Sequence, residues 1–441
     1  MKILVVDAYT DGNIGSGALV ENSINLLRTI FPAAEIEILA QFPEHIEKFT
    51  GIKTFPELIL MPFKKPRWVQ IIWLLRTAIW MTVHGLVLML RSKKFYIRPS
   101  FYTFDKEKLL TLSRIEAADM VVSVGAERIN DNFIKTILFS LYMLWVIQRY
   151  DKFMVLFPQT IGPFHFKITR FLSAKVLNKC NVIFLRDRKS DNYIRELKIK
   201  EPYIINACDV ALLQRTAPED TARKILKEAG VPDDGSPLVG ISPMRWSYVK
   251  ARGKSRYDDY KSAIARVADE LAQDKGVRVV FLPTNLPLHG CREDDVAVSR
   301  EIMSLMKAKG KAYVIDKLCT PSELKSIMGL LEMCLVTRMH ACIFATGILT
   351  PTFTINYQFK LYEYMKLMRL EKYTIDIDDV TYERLKEIAE QTWNDRDKIK
   401  KNLEEIVSYW KTNLTTETRR LTAIYQDTAR ELISGNKSKP A

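Results

Sequence analysis

Leu335-Val336-Thr337-Arg338-Met339-His340-Ala341 is the stretch on which the fold turns. An apolar run from Cys334 ends at Thr337, and a helical pattern begins near His340. A short continuous apolar run suits a strand buried on both faces, as in a parallel sheet. Arg338 and His340 then stand at the carboxyl end of a parallel strand, beside a helix N-terminus. Ligands of open α/β sheets bind at that edge, where the strand order reverses. Backbone N–H groups and the helix dipole favour an anion there. Arginine adds a planar fork for carboxylate or phosphate. Histidine adds a proton that exchanges near neutral pH. An Arg/His pair that only opens a helix would read the same.

The alternation of short apolar runs and helical patterns continues outward on both sides. In the first half it predicts strands at Lys2–Asp7, Glu35–Ala40, Met120–Val124, Phe153–Phe157, Val182–Leu185 and Tyr203–Asn206. In the second half it predicts Leu238–Ser242, Val277–Pro283, Ala312–Ile315, Cys334–Thr337, Thr352–Asn356 and Tyr373–Ile377. Strands alternating with helices give an α/β class. The halves meet across Leu213–Pro237, a charged segment with the turn signal Pro232-Asp233-Asp234-Gly235. The expected organisation is a doubly wound domain over 1–215, a second over 236–378 facing it across a cleft, and C-terminal helices over 379–441 that could pack back on the first.

One insert, 64–98, breaks the pattern. Trp68–Leu90 is almost wholly apolar apart from Gln70, Arg76 and His84. Lys64, Lys65 and Arg67 flank it on one side and Arg91, Lys93, Lys94 and Arg98 on the other, and no acidic residue lies between Glu57 and Asp105. Its length would span a bilayer, but Arg76 makes a simple span costly. A helix in the membrane interface, basic flanks on anionic lipid, fits better; a buried hairpin or an oligomer face is the other reading. A second apolar helix, Phe133–Ile147, could join it.

Composition narrows the class. The 441 residues are 47% hydrophobic and 27% charged, enough for sizeable cores and too polar for a membrane bundle. The net charge of +14 suits an anionic substrate. Nucleic acid is not expected, because no zinc-finger, homeodomain or RNP pattern is present. The six cysteines form no C-x-x-C pair, which argues against zinc or dithiol chemistry and for a reducing cytoplasm. Five scattered histidines without ligand spacing predict no metal site. Asp7 interrupts the apolar N-terminus after six residues, so no signal peptide is expected.

Other candidate ligand groups also follow predicted strands. Arg186 and Asp187, in Leu185-Arg186-Asp187-Arg188-Lys189-Ser190, either serve the cleft, with Arg186 pointing into it and Asp187 holding Arg186 or Arg188, or open a helix with Asp187 near its cap. Gln159 lies in Pro158-Gln159-Thr160-Ile161-Gly162-Pro163, a ligand loop or a plain turn. Asn13 and Gly15 lie in Asp11-Gly12-Asn13-Ile14-Gly15-Ser16-Gly17-Ala18, glycine-rich but neither G-x-G-x-x-G nor a P-loop. Arg245, Tyr357 and Lys360 follow strands of the second half. His289 and Glu293-Asp294-Asp295 read as loop and helix-start residues.

In order, these blocks resemble the polysaccharide pyruvyl transferase family: the Asn13-Ile14-Gly15 loop, Ser123-Val124-Gly125, the Pro158–Pro163 and Leu185–Ser190 pair, and Arg338-Met339-His340-Ala341 followed by Tyr357-Gln358-Phe359-Lys360. They match that family's N-x-G, Q-x-I-G-P, R-D-x-x-S, R-x-H-A and Y-x-x-K blocks. Ser16 replaces the family's usual acid, and Gly125-Ala126-Glu127 its usual G-G-G. The resemblance implies a GT-B-like fold of two Rossmann-like domains. It implies phosphoenolpyruvate as donor substrate with no separate cofactor, and a sugar hydroxyl pair as acceptor, on a cell-surface polysaccharide or its lipid-linked precursor. On that basis Arg338 and Arg186 hold the donor's charge with Lys360 assisting, His340 is the acid/base group, and Arg245, Tyr357, Asn13, Gly15, Gly125, Gln159 and Asp187 contact substrate. The expected location is cytoplasmic, peripheral on the inner face of the cell membrane, with oligomer formation open. A nucleotide-sugar glycosyltransferase of the same fold is the alternative.

Overall fold

A computed structural model of the chain describes residues 1–62, 65–91, 96–125, 127–245, 253–291 and 293–434. The expected flanking cations Lys64, Lys93 and Lys94, and Ala126 of the altered glycine loop, lie outside these. Two compact units emerge. The first comprises Met1–Thr10, Leu19–Val210 and Asn413–Ala441; the second Asp11–Ala18 and Ala211–Thr412.

The first unit is built on seven strands: β1 (Lys2–Ala8), β2 (Glu35–Ala40), β3 (Thr54–Pro56), β4 (Met120–Ser123), β5 (Phe153–Gln159), β6 (Val182–Leu185) and β7 (Tyr203–Asn206). They form one parallel sheet in the order β3-β2-β1-β4-β5-β6-β7. Its helices are α1 (Ile14–Ile30, which starts among second-unit residues), α2 (Pro43–Thr50), α3 (Arg67–Leu90), α4 (Lys106–Ala117), α5 (Ile134–Arg149), α6 (Lys167–Leu177) and α7 (Arg188–Glu196). Every residue of β4, β5 and β6 is buried, the condition under which a continuous apolar run reads as a central parallel strand. The strand order reverses between β1 and β4, where Val6 registers with Ser123.

The second unit repeats the plan with β8 (Leu238–Ser242), β9 (Arg278–Phe281), β10 (Ala312–Val314), β11 (Met333–Val336), β12 (Thr352–Asn356) and β13 (Thr374–Asp376), again all parallel, in the order β10-β9-β8-β11-β12-β13. Around it lie α8 (Glu219–Glu228), α9 (Gly253–Asp274), α10 (Asp295–Leu305), α11 (Pro321–Met328), α12 (Met339–Gly347), α13 (Phe359–Leu367), α14 (Tyr382–Asn394) and α15 (Arg396–Ser434). Its order reverses between β8 and β11, where Ser242 registers with Val336. The turn carrying Arg338 therefore lies at a switch point. Thr320 and Glu323 form a capping box that starts α11 with Pro321 in its first turn.

Two bounds differ from those expected. The glycine-rich loop Asp11–Ala18 groups with the second unit although it follows β1 of the first. The C-terminal helices are divided: α14 and the start of α15 group with the second unit and Asn413 onward with the first. There Tyr425 packs edge-on against Phe31 and Phe153.

The apolar insert forms the single long helix α3. One stripe, Thr77, His84, Gly85 and Leu88, is buried against α5. His84 Nδ1 lies 2.7 Å from the Tyr142 hydroxyl, which itself donates to the Met81 carbonyl at 3.2 Å. Tyr142 has one proton to give, so His84 donates from Nδ1. Burial pushes the His84 pKa down to about 4, keeping the ring neutral. The guanidinium of Arg149 donates to the Leu88 carbonyl at the helix end. α5 itself is largely core, with Ile137, Leu141, Leu144, Val146 and Ile147 buried, so most of it does not join α3 in an exposed apolar face.

Candidate functional site

In the second unit Tyr260 pins the two strand ends that flank the switch point. Its buried hydroxyl accepts from the Met244 N–H at 3.2 Å and shares a hydrogen bond with Thr337 Oγ1 at 2.9 Å. Arg338 then occupies the N-cap position of α12, which has no side-chain cap. Its guanidinium is buried and forked between two carboxylates: Nη2 to Asp295 Oδ1 at 2.6 Å and Nη1 to Glu293 Oε2 at 2.5 Å. Asp295, the first residue of α10, is itself locked, its Oδ2 accepting from the Asn285 N–H at 3.0 Å and the Thr284 N–H at 3.3 Å. Asn285 also donates to Glu293. Burial opposes the Arg338 charge, yet Asp295 and Glu293 outweigh it and hold its pKa above the usual arginine range. Burial pushes Asp295 up, and Arg338 pulls against it.

The glycine-rich loop comes to this same place. Ile14 donates to Thr284 O at 3.0 Å, Leu286 donates to Gly12 O at 3.1 Å, and Asn13 bridges antiparallel to Asn285. Gly15 lies directly on the imidazole of His340: a Cβ at Gly15 would stand 2.1 Å from His340 Nδ1. Only glycine permits that approach. Asn13 Oδ1 accepts from the Ser16 N–H at 3.0 Å and so caps the start of α1. The Asp11 carboxylate accepts from His289 Nδ1 at 2.9 Å, and His289 adopts a left-handed backbone, φ 49°. A left-handed histidine is uncommon and marks a position fixed by its surroundings.

Tyr357 and Lys360 follow β12, with the Lys360 ammonium 5.6 Å from the Tyr357 ring centre. The Tyr357 hydroxyl acts electrostatically on Arg338. Arg245 is exposed three residues beyond β8. Three buried polar atoms on this carboxyl edge, Ser242 Oγ, Arg338 Nε and Gln358 Oε1, have no hydrogen-bond partner among the described residues. Such groups are costly unless something pairs with them.

Expectations for the first unit need correction. Arg186 is buried, donating from Nη1 to Asp209 Oδ2 at 2.5 Å and from Nε to Thr160 Oγ1 at 2.8 Å. Asp187 does not hold Arg186 directly. It is the N-cap of α7, accepting from the Ser190 N–H at 2.7 Å and from Thr160 Oγ1 at 3.0 Å. Thr160 links the two, and a sealed ion pair is the outcome rather than a cation turned to substrate. Gln159 is likewise buried, its amide donating to Ser123 Oγ and the Val124 carbonyl, both at 3.2 Å. Gly125 is needed for close packing, since a Cβ there would meet Pro158 O at 2.5 Å.

Sequence reasoning missed a cluster at the first switch point. Asp7, at φ 68°, accepts from Ser123 Oγ at 2.5 Å and from Arg128 Nη1 at 3.2 Å. Arg128 also reaches Glu57 Oε1 at 3.3 Å. Burial, against the pull of Arg128, pushes the Glu57 carboxyl up to about 7, a proton exchanged near neutral pH. It also missed the partners of Arg338 and the Asp11–His289 pair. The Glu293-Asp294-Asp295 run opening a helix was a usable signal for the former; nothing local joins Asp11 to His289, 278 residues apart.

Comparison with known proteins adds a family. The sequence model described as "Polysaccharide pyruvyl transferase" matches residues 13–358. The amylovoran biosynthesis protein AmsJ of Erwinia amylovora is 21% identical over 380 residues, covering 86% of this chain and 89% of that protein. Among solved structures, the S. aureus MnaA-UDP co-structure superposes with a TM-score of 0.60 at 11% identity, over 100% of this chain and 99% of the other. Anabaena Alr3699/HepE, in complex with UDP and glucose, gives 0.52 at 13% identity, over 98% and 100%. These likenesses show the GT-B class of fold.

Proposed function

Because the chain belongs to the polysaccharide pyruvyl transferase family, we propose that it moves the enolpyruvyl group of phosphoenolpyruvate onto two hydroxyls of one sugar as a ketal, releasing phosphate. The acceptor is a polysaccharide repeat unit or its lipid-linked precursor. No separate cofactor is required. The vinyl carbon takes a proton and becomes a methyl group, one hydroxyl attacks the neighbouring carbon, the C–O bond to phosphate breaks, and the second hydroxyl closes the ring. Of the two hydroxyl protons, one balances the methyl group and the other leaves with phosphate or solvent.

The observation that carries this reading is the meeting of Gly15 with the His340 ring. It joins the first and fourth family blocks at one switch point. His340 then serves as acid/base group, and the Asp11–His289 pair as a second couple for the second proton movement. Arg338 acts by fixing the carboxyl edge through Asp295 and Glu293, and its Nε faces the donor. Arg245, Lys360 and the uncapped N-terminus of α12 supply positive potential for the trianionic donor. The free, buried cysteines suit a reducing cytoplasm, where phosphoenolpyruvate is made.

Calorimetric titration with phosphoenolpyruvate and assay of phosphate release on a panel of saccharides and lipid-linked oligosaccharides test it. Binding and acceptor-dependent release are expected, with His340→Ala folded but about 10²–10⁴-fold slower. Turnover of a sugar nucleotide without use of phosphoenolpyruvate would replace this reading with a glycosyltransferase, and full turnover by His340→Ala would remove His340 from its role.

A further inference from the structure

The outer face of α3 inverts the usual arrangement of a surface helix. Two of its polar residues, Thr77 and His84, are buried, whereas Trp68 (65% exposed), Ile71, Leu75, Ile79 (66%), Leu86 and Leu90 face solvent beside Arg76 and Thr82. The patch does not end with this helix. Phe101 and Phe104 (91%), in the turn before α4, are exposed. So are Phe166, Ile168 and Phe171 at the start of α6, which packs beside α5 as α5 packs beside α3. Soluble monomers rarely leave so much contiguous apolar surface open; such patches mark interaction sites.

Charge selects the occupant. Not one Asp or Glu occurs in α3, α5 or α6. The turn after Phe104 carries exposed Asp105 and Glu107 beside Lys106, with Asp105 paired to Lys108; around α3 and the start of α6 the exposed charged side chains are Lys65, Arg67, Arg76, Arg98, Lys167 and Arg170. Among these only Arg170 has an acidic partner among the described residues, Glu196. A second copy seated on this face would bring the cations against their like, with no carboxylate on the three helices to answer them. A bilayer carrying anionic headgroups answers both features: acyl chains take the aromatic and aliphatic side chains, and phosphates take the ring of cations. The inner stripe of α3 is held by Tyr142 and Arg149, so the helix lies along the surface rather than crossing it.

We infer that α3, the 101–104 turn and the start of α6 form one platform that seats the first unit on an anionic membrane surface. The inference goes beyond the transfer reaction and does not depend on it. Flotation of the full chain with phosphatidylcholine vesicles, with and without phosphatidylglycerol, tests it. The protein should float with the anionic vesicles, lose binding as salt rises, and be released by alkaline carbonate. Leu75→Glu with Ile79→Glu, and separately Phe166→Ser with Phe171→Ser, should each lower the partition coefficient about tenfold or more, with thermal unfolding unchanged because these side chains are exposed. The inference is overturned if wild type stays in solution, if both double variants float as wild type does, if carbonate fails to extract the protein, or if a vesicle-free dimer forms that the same substitutions disperse.

Discussion

Two arginines, singled out by the same logic of charge after a strand, turn out to differ. Arg186 is sealed with Asp209 and Thr160. Removing one partner of a buried pair leaves an uncompensated charge, so Asp209→Ala should destabilise the protein by about 3–5 kcal/mol in urea unfolding. A variant of unchanged stability but raised KM for the donor would show instead that Arg186 binds substrate. Gly15 makes the converse case. Gly15→Ala drives the His340 ring from its place, and a displacement of about 1 Å costs about 10²-fold in rate; unaltered kcat would contradict the contact seen here. The sequence made Arg338, His340 and Gly15 visible because each follows a strand in a recognisable block. It could not show that Arg338 is forked between Glu293 and Asp295, because those carboxylates come from another strand-to-helix turn and their pairing exists only in three dimensions.

Elements were legible where burial is uniform. β6, β8 and β12 begin and end where their apolar runs do. β3 was not foreseen, since three residues ending in Pro56 carry no periodicity and a proline is tolerated only at such an edge. Helix α3 was legible in extent but not in orientation. Its only histidine faces inward, and that has a consequence in acid. The folded pKa of His84 is about 4 against 6.5 in the free side chain. Between those values the unfolded chain binds a proton that the folded one refuses. Stability therefore falls as pH drops from 6.5 through 4, by about 3 kcal/mol in all. Thermal unfolding over that window should show a flatter pH dependence in His84→Asn than in wild type; equal slopes would mean that the buried imidazole is not the titrating group.

At the scale of the molecule, two parallel sheets are each reversed at one central point, and each reversal gathers a polar cluster: Asp7, Glu57, Ser123 and Arg128 in the first, Asp11, His289, Asp295, Arg338 and His340 in the second. The second cluster draws its loop from residues that follow β1, so the order of blocks along the chain does not follow the division into units. The net charge of +14 is likewise uneven, because α3, α5 and α6 hold no acid at all. The most direct test of the central claim follows the carbon itself. The enzyme would be incubated with phosphoenolpyruvate labelled at its methylene carbon and a lipid-linked oligosaccharide acceptor, and the product read by carbon NMR. The account predicts that the label appears as a ketal methyl on the sugar, one for each phosphate released. Label recovered only in unreacted donor or free pyruvate, while the same acceptor is extended by a sugar nucleotide, would contradict it.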